Sequence, residues 1–229
     1  MSNCRKLHFA HILVSIKSGN KSFGWLENQD KNFLYKVFGI PQSRAFRVIW
    51  MLEEIEIEYE HFSLKPGSQE VKNLNRSGKV PVLMDGEEIL SDSSAIISYL
   101  GDKHEQLCFP RGSIERARQD AMVFRIIDEV DMMLWGAARH SFILPEDMRV
   151  AAIKPSLKWE FQKNIGNIMN ERRGKFLMGE EFMLPDIILA HCGRWARSAK
   201  FPLANESFNE YINLCYDRPA VKRLIKRLS

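Results

Sequence analysis

Periodicity changes near Asp102. The seventy residues before it alternate strand-like and helical patterns, and after it only helical spacing remains. Phe33–Gly39 reads as a strand, Ile40-Pro41-Gln42 breaks it, and Ser43–Glu54 gathers Phe46, Val48, Ile49, Met51, Leu52 and Ile55 on one helical side. Tyr59–Leu64, Val80–Met84 and Glu87–Leu90 read as further strands, the last two joined by an Asp85-Gly86 turn, and Ser93–Leu100 is again helical. Residues 103–113, with a Pro, a Gly and mixed polar residues, read as a linker. Beyond it Met122, Ile126, Val130, Met133 and Leu134 step by three and four, and so do Leu157, Phe161, Ile165, Ile168 and Met169. Helices are also expected at Ile187–Ser198, Ser207–Tyr216 and Ala220–Leu228. This order predicts an α/β domain over 33–102 and an all-α domain over 114–229, without an internal repeat.

At 229 residues, 45% hydrophobic and 27% charged, the chain can bury its own core without metals or disulfides. The net charge of +4 is unevenly spread. Residues 1–32 hold five Lys/Arg against two acidic residues, residues 217–229 hold five against one, and the body between is slightly acidic. A continuous basic face for nucleic acid is therefore not expected. Cys4, Cys108, Cys192 and Cys215 form no CxxC pair and no zinc-ligand spacing, so no metal is expected. No apolar run approaches a membrane span, so the reading is a cytoplasmic protein. Residues 1–32, serine-bearing and free of acidic residues until Glu27, read as a flexible extension.

The run from Val37 to Glu54, VFGIPQSRAFRVIWMLEE, resembles the first strand and helix of microbial, cytosolic-type glutathione S-transferases. Gly78-Lys79-Val80-Pro81-Val82-Leu83, then Asp92-Ser93-Ser94-Ala95-Ile96 eleven residues after Pro81, resemble two further pieces of that family. Phe176–Phe182 with Pro185-Asp186-Ile187 resembles the start of its second-domain core helix. The resemblance implies an N-terminal thioredoxin-like domain followed by a C-terminal helical bundle, with glutathione as co-substrate and a homodimeric assembly.

It also implies roles. Glutathione brings two carboxylates, an ammonium and a thiol that is mostly protonated at neutral pH, so the site must hold the charged ends and favour the thiolate. Val80, before a cis Pro81, would pair with the tripeptide backbone like an added strand. Ser93 would present its hydroxyl and N–H to the γ-glutamyl carboxylate at a helix N-terminus, Asp92 would take the ammonium, and Lys79 the other carboxylate. The tyrosine of some classes is replaced by Phe38, so a following residue must donate to sulfur. Ser43 is the expected catalytic donor, with Gln42 and Arg44 as rivals. No cysteine lies between Cys4 and Cys108, so a disulfide-exchange mechanism through an enzyme thiol is not expected.

Plainer readings stand beside these. Ser43 and Ser93 are ordinary helix N-cap residues, and Lys79 an ordinary surface lysine. Met132 and Trp135, with Met133 and Trp195, are candidates for an acceptor pocket and equally for a helical core stripe. His104, His140 and His191 are isolated in sequence and carry no assignment. The family's capping box would put Ser or Thr at 183, where Met183 stands, and Asp186 is still expected to serve structure by satisfying helix-terminal N–H groups. The function expected is conjugation of the glutathione thiolate to a hydrophobic electrophile. The alternatives are peroxide reduction or dehalogenation on the same site, or a non-catalytic glutathione-binding module.

Overall fold

The computed structural model describes residues 35–228, and the expected extension at 1–32 lies outside the described residues. Four strands form one sheet in the order β2-β1-β3-β4. The central strand β1 (Tyr35–Phe38) runs parallel to β2 (Tyr59–Phe62) and antiparallel to β3 (Val82–Asp85), which pairs antiparallel with β4 (Glu88–Ser91). Val37 faces His61 on one side and Leu83 on the other. Helix α1 (Ala45–Glu54) connects the parallel pair, as a parallel connection requires. A short helix α2 (Gln69–Leu74) precedes β3, and α3 (Ser93–His104) follows β4. This is the expected thioredoxin-like arrangement.

The rest is helical. Helix α4 (Ile114–Ile126) continues through a π-helical turn at Ile127–Asp131 into α5 (Met132–Ala138) and a second π turn at Arg139–Ile143. Helices α6 (Lys154–Glu171), α7 (Leu184–Ser198), α8 (Glu206–Tyr216) and α9 (Pro219–Leu228) complete it.

Two helices hold the halves together. Every residue of α1 from Ala45 to Glu53 is buried, because the helix lies among β1, α3, α7 and α9. That is why its sequence is apolar almost all round. Helix α7 is buried from Leu184 through Gly193, and Asp186 fixes its start by accepting the N–H groups of Leu177 (3.0 Å) and Met183 (2.8 Å) and the Tyr211 hydroxyl (2.7 Å). Only the Asp186 half of a capping box carries oxygen, as Met183 dictates. Basic residues near the C-terminal end reach back to α1: Arg218 grips Glu54 with two 2.7 Å bonds, and Arg227 meets Glu53 at 3.0 Å.

Candidate active site

The turn after β1 is built around Gly39. Its φ is +141°, and a Cβ there would stand 2.9 Å from the Cβ atoms of both Ala45 and Val80, so only glycine lets these segments meet. The Val80–Pro81 peptide is cis, as the resemblance implied. Phe38 is buried with its ring stacked on Phe62 at 4.8 Å, so it packs inward at the position where a tyrosine class would place its hydroxyl.

Ser43 sits in the turn that starts α1. Its hydroxyl donates to the Ile40 carbonyl (2.7 Å) and accepts the Ala45 N–H (3.1 Å). Gln42 is exposed beside it. The start of α3 carries the other expected residues. Asp92 has φ 73°, a left-handed backbone, and its Oδ1 accepts the N–H groups of Ser94 (2.8 Å) and Ala95 (3.1 Å). Ser93 is buried, at 2% exposure, and its Oγ accepts from Arg47 Nη1 at 3.4 Å. Lys79 is exposed, while its backbone is tied to Ser77 Oγ (3.3 Å) and Asn75 Nδ2 (3.0 Å).

Arg47 is the centre of a cluster that sequence reasoning did not anticipate. Its side chain is fully buried, its Nη2 donates to Asp131 and to the Cys192 thiol (3.3 Å), and its Nε donates to His191 Nδ1 (3.1 Å). Asp131 also accepts from Arg44, through Nη2 and through Nε at 3.1 Å. Desolvation alone would raise the Asp131 pKa, but Arg47 and Arg44 outweigh it and hold the carboxyl well below its usual range. Burial, and then Arg47, push His191 well below the usual imidazole range, so it is neutral. Its Nδ1 is the acceptor for Arg47, and the Ser43 backbone is its other hydrogen-bond partner. Burial pushes the Cys192 thiol up to about 12.

The expected acceptor residues are distributed differently. The Arg44 guanidinium lies 5.1 Å from the ring centres of both Trp135 and Trp195, and Met132 is exposed. A cleft of about 530 Å³ opens at the same turn, with Gln42, Phe46, Trp195, Arg194 and Tyr216 in its wall and Leu228 of α9 at its edge. His191 lines it too and so links the cleft, through Arg47, to Ser93.

The segment holding the sheet, the cis proline and α3 matches a family model. Residues 37–107 fit the description "Glutathione S-transferase, N-terminal domain". This segment belongs to the glutathione S-transferase N-terminal domain family. A zeta-class glutathione S-transferase of Euphorbia esula is 27% identical over 71% of this chain and 74% of its own length. A glutathione transferase structure from Methylococcus capsulatus superposes with a TM-score of 0.76 at 21% identity, over 85% of this chain and 98% of that one. One from Phanerochaete chrysosporium, solved with oxidized glutathione, gives 0.73 at 19% identity over 86% and 97%. Among the described residues, no helix is long and apolar enough to cross a membrane.

The residues missed in the sequence, Arg47, Asp131, His191 and Cys192, had one readable signal. An arginine stood between Phe46 and Val48 in a helix with no polar face to put it on.

Proposed function

We propose that this protein is a glutathione transferase that conjugates the glutathione thiolate to a hydrophobic electrophile. The observation that carries the reading is the start of α3, where exposed Asp92 and buried Ser93 stand together at a left-handed cap. The α3 N-terminus and the Ser93 hydroxyl suit the γ-glutamyl carboxylate, and Asp92 suits the ammonium beside it. Val80 would pair with the cysteinyl backbone, Lys79 with the glycyl carboxylate, and Ser43 would donate to sulfur once its hydroxyl turns from Ile40. The acceptor would enter the cleft beside Gln42, while Trp135 reaches the same turn through Arg44 and Met132 lies on the exposed side.

In that site the thiol loses its proton to solvent, the thiolate attacks the electrophilic carbon, and a C–S bond forms as the leaving group departs with its electron pair. The rate would come from thiolate stabilisation and from holding both partners in one place. The division of labour follows the chain: 33–102 would bind glutathione, 103–113 link, and 114–229 shape the acceptor site. The assembly is proposed as a cytoplasmic homodimer, which light scattering tests. Retention on immobilised glutathione together with conjugation of an aryl halide supports the reading. Loss of both retention and activity towards several electrophiles overturns it.

One observation favours a second reading. The Ser43 proton is already committed to Ile40, so the same site without a thiolate donor would be a glutathione-binding module. Calorimetric binding without turnover, unchanged in Ser43→Ala, selects it.

A further inference from the structure

Arg47 is a fully buried cation with more to do than neutralise one carboxylate. Arginine has donors only, so where it meets Ser93 the hydroxyl oxygen must accept. The Ser93 proton is then directed elsewhere. The charges are also unequal: Arg44 and Arg47 share the single Asp131 carboxylate, and the remaining partners of Arg47, His191 and Cys192, are neutral groups. Arg44 is a quarter exposed and can share its charge with solvent, whereas Arg47 is fully buried and depends on the groups around it. The next carboxylate acting on Arg47 is Asp92, one residue before Ser93. Exposed Asp92 and the Ser93 hydroxyl, oriented by Arg47, thus stand on consecutive residues, an acceptor and a donor suited to the two ends of an α-amino-acid head.

We propose that Arg47 is the positioning residue of the γ-glutamyl subsite: it holds the Ser93 hydroxyl as a donor towards the ligand's α-carboxylate. The inference rests on the glutathione reading above. It goes beyond that reading by making α1, rather than α3 alone, the source of recognition.

The test is calorimetric titration with two probes, glutathione and 4-aminobutanoyl-cysteinyl-glycine, which lacks only the α-carboxylate. The proteins are wild type, Ser93→Ala, Arg47→Met and the double variant. Arg47→Met is chosen because Asp131 keeps Arg44 as its partner. Wild type should prefer glutathione about 10- to 100-fold, the range for one charged hydrogen-bonded contact. Each single variant should remove most of that preference, the double variant should remove no more, and affinity for the analogue should stay within about twofold.

Equal weakening of both probes by Arg47→Met, or multiplicative effects in the double variant, overturns the proposal and makes Arg47 a purely structural residue. Should Arg47→Met fail to fold by circular dichroism, Ser93 decides. Ser93→Thr, which keeps the hydroxyl, should retain the preference and Ser93→Ala lose it, and a preference surviving in Ser93→Ala overturns the inference. Wild type that binds glutathione without preference over the analogue overturns this inference alone. Wild type that binds neither probe overturns the glutathione reading and this inference with it.

Discussion

Asp131→Ala should be the most damaging single substitution at the junction between the sheet and the helical half. The carboxylate is 4% exposed and serves two arginines, one of them, Arg47, at 0% exposure. Its removal leaves the Arg47 guanidinium buried with a neutral imidazole and a thiol for company. Breaking a buried pair in this way costs about 3–5 kcal/mol. Against a total stability of roughly 5–15 kcal/mol that is a large share, and for a chain of this length it lowers the Tm by about 6–20 °C.

Urea unfolding of four proteins checks the reasoning: wild type, Asp131→Ala, Arg47→Met, and both together. With Arg47 already replaced, no buried cation is orphaned, and Asp131→Ala should then cost only about 1 kcal/mol. The folded-state pKa of Asp131 lies below its unfolded value, so its contribution is fully present above about pH 4 and is lost only as pH falls through the folded pKa. The gap between wild type and Asp131→Ala should therefore be constant from pH 5 to 9. A loss under about 1 kcal/mol for Asp131→Ala, or the same loss in both backgrounds, would refute the idea that the cluster acts as a coupled buried unit.

Asp186 should behave oppositely with pH: burial raises its pKa to about 6 despite three donors, so the protonated form is favoured in the fold and stability is lost as pH rises through 6. The loss is about 3 kcal/mol between pH 4 and 7, and Asp186→Asn should flatten that slope in urea titrations. Ser43→Ala should lower turnover about 10²-fold with little change in KM for glutathione, whereas Gln42→Ala should leave it nearly intact; thiolate absorbance of the bound tripeptide reports which residue matters. Gly193→Ala should destabilise by about 1–3 kcal/mol, because the new Cβ meets Ile212 Cδ1 and lies 2.6 Å from its Cγ1; Ile212→Val should recover part of the loss in a thermal melt.

Elements with a long apolar rhythm were legible in the sequence. Helix α1 announced itself through Phe46, Val48, Ile49, Met51 and Leu52, and the strands through short apolar runs ended by turn residues. Helix α2 was not read, since its six residues bury only Val71 and its Ser68 cap resembles any loop serine. The π turn at 127–131 was invisible for another reason. The sequence reads as one helix by steps of three and four, but an extra residue in the backbone ladder advances the phase by about 100°. At the end of that turn Asp131 is buried along with Val130.

The candidate site divides in the same way. The cap at Asp92 was readable because a cap is local: the residue that ends the loop is the residue that meets the first N–H groups of α3. Arg47 was not, because its partners stand 46, 84, 144 and 145 positions away, on α3, the π turn and α7. Nothing in local spacing expresses such a meeting. Yet a helix buried on all sides leaves an arginine no route to water, so Arg47 required an anion and fixed donors' acceptors somewhere in the fold. The anion is Asp131, and among the acceptors is the hydroxyl at the start of α3. One guanidinium thus joins the helical half, through Asp131, to the Ser93 hydroxyl, which is why stability and ligand preference should be measured on the same variants.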